Sequence, residues 1–184
     1  MVSEQVTDAL LALEDAQASK KAQGYNELLD KILASSSASD DLPANLIAYV
    51  QSILGDSVGI VTSRPLLASF VGKLASLPDA DIKIQVGTNA IDALAPKVVS
   101  YEDQDSQIKL MLADSYEQNE DFTSSAKVLQ QITLDSSQRH VSDDDKAKIW
   151  TRITRCYLEE DDPTNALSYL NRVKNVIYNV QDQP

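Results

Sequence analysis

Trp150–Val173, WTRITRCYLEEDDPTNALSYLNRV, is the stretch whose reading decides the fold. Ile149, Ile153, Cys156 and Tyr157 recur at helical spacing and predict a single apolar stripe. The acidic run Glu159-Glu160-Asp161-Asp162 interrupts that stripe, and Asp162-Pro163 restarts a helix. Aspartate is a favoured N-cap because its carboxylate accepts from the free N–H groups of the first turn. Proline at the first helical position gives up a bond that this position does not make. Ala166, Leu170, Val173 and Ile177 then predict a second stripe. The stretch reads as one helical hairpin.

The preceding chain repeats it. A shift of 41 residues places Ile108 on Ile149, Leu112 on Ile153, Ser115 on Cys156 and Tyr116 on Tyr157 without a gap. Glu120-Asp121 then falls on Asp161-Asp162, Leu129 on Leu170, and Ile132 on Val173. Matching apolar positions in consecutive hairpins mark a stacked array, in which no unit buries its face alone. The second copy resembles a divergent tetratricopeptide repeat, with Trp150, Ile153, Tyr157, Ala166 and Leu170 at that motif's spacing. The motif's glycine is Thr154 here and Ala113 in the first copy, and the period exceeds the usual value of about 34.

Upstream, Val2, Val6, Ala9, Leu10 and Leu13 predict a helix, and Tyr25, Leu28, Leu29, Ile32 and Leu33 a second, with Gly24 near the join. Ser35–Ser39 reads as a polar surface connection. Asp40-Asp41 supplies capping carboxylates for a helix bearing Leu46, Ile47, Val50, Ile53 and Leu54, and Gly55 and Gly59 bracket its end. Ser63 with Pro65 opens a fourth helix carrying Leu66, Leu67, Phe70 and Leu74, and Pro78 stops it. Asp79 caps a fifth with Ile84, Ile91 and Leu94 on one face. Gly87 lies inside the fifth and marks either a close helix contact or a local break. Ser100-Tyr101-Glu102-Asp103 and Ser142-Asp143-Asp144-Asp145 both resemble capping boxes. Three first-turn acids favour the helix dipole, and consecutive helical residues point apart rather than at one metal ion. With no useful strand-like alternation, the expected class is all-α: an α-solenoid of stacked helical hairpins, TPR-like or HEAT-like. It is read as a single helical-repeat domain, 1–184, whose clearest repeats are 100–134 and 142–180.

Composition narrows the partners. A net charge of −12 over 184 residues disfavours a nucleic-acid backbone and an anionic membrane surface, and permits a basic protein partner. No stretch approaches the roughly 20 apolar residues of a membrane span, and the N-terminus lacks a signal-peptide pattern. The single cysteine cannot form an internal disulfide, which fits a reducing intracellular compartment.

Several strings together resemble the family of COP9 signalosome subunit 4. They are Thr62-Ser63-Arg64 with Leu66-Leu67 and Phe70, Leu77-Pro78-Asp79, Val99–Gln104, and Tyr116-Glu117 with Glu120-Asp121-Phe122 and Val128-Leu129. Tyr157–Pro163 and Tyr169–Arg172 complete the series. The resemblance covers about residues 60 to 175, with the first 40 a weaker fit. It implies an α-solenoid followed by a winged-helix PCI module and a C-terminal assembly helix. The sequence ends at Pro184, before such a module, and is expected to be the N-terminal solenoid, as an expressed fragment or a truncated gene product. The resemblance further implies a non-enzymatic, cofactor-free scaffold in cytoplasm and nucleus. Its implied partners are other signalosome subunits, through the C-terminal module, and cullin–RING ligases whose Nedd8 the complex removes. The resemblance also implies an arm that contacts the cullin–RING side and helps switch on the catalytic subunit. The alternatives are a paralogous subunit of the proteasome regulatory lid and a free-standing peptide-binding repeat protein.

The residues offer little chemistry. The resemblance implies that the complex's separate catalytic subunit is a zinc isopeptidase, whose site needs an H-x-H pair; this chain has only His140 and cannot house that site. Cys156 sits on an apolar stripe and reads as core, and His140 reads as solvated. No Gly-rich phosphate loop or metal-ligand cluster is present. The candidate partner-binding residues are acids of the two turns, Glu117, Glu120, Asp121, Glu159, Glu160 and Asp161, expected to share one edge as an acidic ledge. The bland alternative is a pair of solvated turns with helix caps. Arg64 is a further candidate, or a residue that bonds a neighbouring helix end.

Overall fold

The computed structural model describes residues 1–35, 41–136 and 139–180, apart from the side chains of residues 18 and 19. Most of the expected Ser35–Ser39 connection, with Asp40 and Gln138, lies outside the described residues. Among the described residues there are helices and no strand, the all-α class expected of a solenoid. The chain forms two compact units, Met1–Ile108 and Lys109–Pro184.

The first unit contains α1 (Glu4–Glu14), α2 (Ala18–Ser35), α3 (Leu42–Ile53), α4 (Ile60–Ala75) and α5 (Ala80–Leu94), then a 3₁₀ turn, Ala95–Ser100. Beyond its neighbour in sequence, α2 packs on α4 and α3 packs on α5. That is the stacking a solenoid requires, each helix meeting its counterpart in the next hairpin. An aromatic ladder forms the centre. Tyr25 of α2 meets Tyr49 of α3 edge-on at 5.9 Å, and Tyr49 stacks on Phe70 of α4 at 5.7 Å. All three are fully buried.

The unit boundary falls inside α6 (Glu102–Gln118). The second unit continues with α7 (Phe122–Gln130), α8 (Asp143–Glu159), α9 (Pro163–Val176) and a 3₁₀ turn, Ile177–Asn179. Its core joins Ala113 of α6, Leu129 of α7, Ile132, and Ile149 and Ile153 of α8, flanked by Trp150, Tyr157 and Tyr169. Both residues at the repeat motif's glycine position are buried, Ala113 directly in the core and Thr154 with its hydroxyl donating to the Trp150 carbonyl at 2.8 Å. α8 is capped by Ser142, whose hydroxyl accepts from the Asp145 N–H and donates to the Asp145 carboxylate.

Several boundaries and faces differ from the sequence reading. Gly24 lies inside α2, where a Cβ would collide with Leu13 Cδ2, so glycine lets α1 approach α2. Asp41 occupies the N-cap position of α3 in a helical conformation with no side-chain capping bond; its carboxylate takes the chain's amino terminus at 2.7 Å. α4 starts at Ile60, a turn early, with Gly59 as N-cap at φ 74°. Ser63 therefore faces inward, and its hydroxyl meets the Tyr101 hydroxyl at 2.6 Å. α5 is continuous through Gly87, and its buried face is Ala80, Lys83, Val86, Gly87, Ala90 and Leu94, leaving Ile84 and Ile91 half-buried. The Asp79 cap is as expected, its carboxylate accepting from Asp81 and Ile82 N–H. Val2 is exposed, as are Leu170 and Ile177 of the second stripe of α9.

Candidate functional site

The two acidic turns are the same backbone structure. In the first, the Asp121 N–H donates to the Tyr116 carbonyl at 2.9 Å; in the second, the Asp162 N–H donates to the Tyr157 carbonyl at 2.8 Å. Glu120 (φ 59°) and Asp161 (φ 55°), one repeat apart, both adopt the left-handed conformation. This is a Schellman helix end with an acid where glycine is usual. Asp121 and Asp162 then cap the following helices, accepting from the Ser124 and Asn165 N–H groups at 2.9 and 3.0 Å. The backbone and side-chain bonds from Asn165 hold the Asp162 carboxyl below the usual aspartate range.

Glu160 connects the turns, accepting from the Thr123 N–H in the first turn of α7 at 3.2 Å. The turns thus lie side by side, and their acids divide into two sets. Asp121, Asp162 and Glu160 satisfy helix N-termini. Glu120, Glu159 and Asp161 are exposed and make no side-chain hydrogen bond or ion pair among the described residues.

Glu117 does not belong to that edge. It turns inward from α6, and its side chain is only 14% exposed. Oε1 accepts from Arg152 Nε at 2.6 Å and Ser125 Oγ at 2.9 Å, and Oε2 from Arg155 Nη2 at 2.5 Å. Arg152 also pairs with Asp114 at 2.6 Å. Burial alone would raise the Glu117 pKa; hydrogen bonds from Arg152 and Ser125 and the two guanidinium charges outweigh it and hold the carboxyl below the glutamate range. A mixed-charge cleft of about 560 Å³ adjoins this node, lined by Asp114, Glu117, Asp144, Lys148, Arg152 and Arg155. The sequence signal for it was present. Asp114/Glu117 and Arg152/Arg155 are opposite-sign pairs, each three residues apart on equivalent helices.

Arg64 also acts within the fold, its Nε donating to the Ser100 carbonyl at 2.7 Å. Two of the strings singled out in the sequence, around Ser63 and Tyr101, are therefore joined by Ser63–Tyr101 and Arg64–Ser100. Cys156 is fully buried, its thiol near Glu117 Oε1 and Ser125 Oγ at 3.5 and 3.6 Å. Burial pushes the thiol pKa up, so the nucleophilic thiolate is disfavoured. His140 is exposed and is not among its partners. Among the described residues no group of His, Cys, Asp and Glu could hold a metal ion, and no helix is long and apolar enough to cross a membrane.

A family profile described as PSMD12/CSN4, N-terminal, matches residues 5–184, so the resemblance extends through the first 40 residues as well. COP9 signalosome complex subunit 4 of Emericella nidulans is 42% identical over 183 residues, covering 99% of this chain and 44% of the relative. The subunit 4 proteins of Neurospora crassa and Dictyostelium discoideum are 36% and 33% identical, over 99% and 97% of this chain and 45% and 44% of their own lengths. The chain thus spans less than half the length of the curated relatives it matches. With the profile matching nearly the whole chain and the relatives more than 30% identical, the chain belongs to the PSMD12/CSN4 N-terminal family.

Proposed function

We propose that this chain is the N-terminal helical-repeat arm of a signalosome subunit 4, a non-catalytic scaffold that supports removal of Nedd8 from cullin–RING ligases. The observation that carries the reading is the match to subunit 4 relatives over 99% of the chain at 42% identity. In this reading the arm meets the cullin–RING side of the substrate and helps activate the separate metalloprotease subunit, in cytoplasm and nucleus. Assembly with the other signalosome subunits is assigned mainly to the remainder of the full-length polypeptide.

The contact is placed on the exposed acids Glu120, Glu159 and Asp161. They are free of structural duty among the described residues, and a basic partner surface would complement them. Glu117, Asp121 and Glu160 are instead engaged in bonds that hold the second unit's helices, and Arg64 in its bond to the Ser100 carbonyl within the first unit. Co-purification of the full-length protein from a native extract tests membership. Signalosome subunits and cullins are expected; proteasomal ATPases would favour the lid paralogue, and the absence of any stable complex a free-standing peptide binder.

A further inference from the structure

The charges that line the cleft beside the Glu117 node balance, but its free hydrogen-bonding groups do not. Asp114 and Glu117 of α6 and Asp144 of α8 face Lys148, Arg152 and Arg155 of α8. The carboxylates are already engaged. Both oxygens of Glu117 accept bonds, Asp114 pairs with Arg152 at 2.6 Å, and Asp144 is not free either. The cations are engaged only in part. Arg155 bonds Glu117 through Nη2 alone and is 60% exposed, which leaves its Nε and Nη1 to solvent. Lys148 and Thr151 are exposed and make no side-chain hydrogen bond or ion pair among the described residues. An ammonium group carries three donors and a guanidinium five, so what the cleft offers a newcomer is donors.

The donors are also spaced. Lys148 and Arg155 are seven residues apart on one helix, two turns or about 10 Å along its axis. About three residues of extended chain cover that distance. Thr151 lies between them, and the small Ala147 and the apolar Val180 complete the lining. The volume of about 560 Å³ is that of a ligand pocket rather than a surface dimple. α6 and α8 lead successive hairpins, and stacked repeats offer the face shared by such helices to extended partners.

We infer that the cleft between α6 and α8 binds an extended acidic segment of a protein partner, its carboxylates on Lys148 and Arg155 and its backbone across Thr151. Charge complementarity selects this occupant. Acceptors are what the free donors lack, and a side-chain carboxylate brings them with a single charge. A compact phosphate brings more charge against Asp114, Glu117 and Asp144, which repel it. A peptide also brings N–H groups that those acids attract and apolar atoms for Ala147 and Val180. The cleft thus recognises the opposite charge to the exposed acids Glu120, Glu159 and Asp161, and the inference is independent of the role proposed for them.

The test follows the methyl NMR signals of Ala147, Thr151 and Val180 in full-length protein carrying this sequence. The probes are blocked Gly/Ser octapeptides carrying a pair of glutamates at two, three or four positions' separation, their glutamine counterparts, and inorganic phosphate. Saturable shifts of these signals with a glutamate peptide, and none with its glutamine counterpart, are expected. Lys148→Glu should weaken that binding about tenfold, and Lys148→Arg should keep it. Lys148 is exposed and holds no partner among the described residues, so neither variant should alter methyl signals elsewhere. Signals that stay still with every glutamate peptide would overturn the inference, as would equal responses to glutamate and glutamine or binding untouched by Lys148→Glu. Shifts with phosphate and with no peptide would assign the cleft to a small anion and overturn it too.

Discussion

Glu117 on α6 and Arg152 on α8 meet at 2.6 Å, across 35 residues of sequence. Arg152 takes Asp114 as well, and Glu117 takes Arg155 and Ser125, so α6, α7 and α8 share one polar node. Removing one member leaves a partly buried charge without its counterpart. Glu117→Ala should therefore cost about 2 kcal/mol, below the range for a fully buried pair. Exposed Glu159→Ala should change stability by about 0.5 kcal/mol or less. Chemical denaturation of both variants checks the difference, and equal, small losses would contradict the node's structural role.

The same carboxylate sets an acid limit. Its pKa is depressed in the folded state, so its contribution is present above the unfolded value and lost as pH falls through the folded one. The stability gap between the native chain and Glu117→Gln should hold at neutral pH, begin to narrow below 4.5, the ordinary glutamate value, and close beneath the depressed value. Denaturation curves at a series of pH values measure it. A gap that widens on acidification would contradict the assignment.

Glu120 and Asp161 hold left-handed backbone that costs an L-residue about 1–2 kcal/mol and glycine far less. Glu120→Gly and Asp161→Gly should each raise stability by about 0.5–1 kcal/mol, the glycine's greater unfolded-state entropy offsetting part of the relief. Thermal unfolding reads this directly. Destabilisation by both substitutions would mean that the acids contribute more to the turn than its backbone geometry accounts for.

Tyr49 and Tyr25 separate a satisfied buried hydroxyl from an orphaned one. The Tyr25 hydroxyl meets Ser52 Oγ at 2.8 Å, and Ser52 Oγ donates to Glu14 at 3.2 Å. The Tyr49 hydroxyl is buried with no hydrogen-bond partner among the described residues, and burial raises its pKa strongly. Tyr25→Phe should destabilise by about 1 kcal/mol, whereas Tyr49→Phe should be neutral or stabilising by about 1 kcal/mol. Denaturant midpoints of the two variants, compared at equal m-value, decide the ordering.

The hairpins were legible because burial on a helix repeats with the helix period, and two copies 41 residues apart reinforced each other down to Glu120 and Asp161. The caps at Asp79, Ser142 and Asp162 were legible for the same local reason: the capping bond spans two or three residues. What escaped the sequence depended on distant partners. Gly59 starts α4 without a capping side chain, so Ser63 was mistaken for the start when its hydroxyl belongs to Tyr101. The face of α5 includes Lys83 and Gly87, which no hydrophobic pattern selects. Glu117 reads as one more acid of a turn until α8 brings Arg152 and Arg155 against it. Leu170 matches Leu129 in sequence yet is 40% exposed where Leu129 is buried, because α8 packs over Leu129.

The division of the turn acids into caps and free carboxylates makes the central claim testable without disturbing the fold. Full-length protein carrying Glu120→Lys and Glu159→Lys is assembled into the signalosome, and binding of a Nedd8-modified cullin–RING ligase is measured across salt concentrations. The account predicts weaker binding, chiefly through a slower association rate, and a loss of salt dependence relative to the unaltered complex. Unchanged affinity, association rate and salt dependence in a fully assembled complex would contradict it.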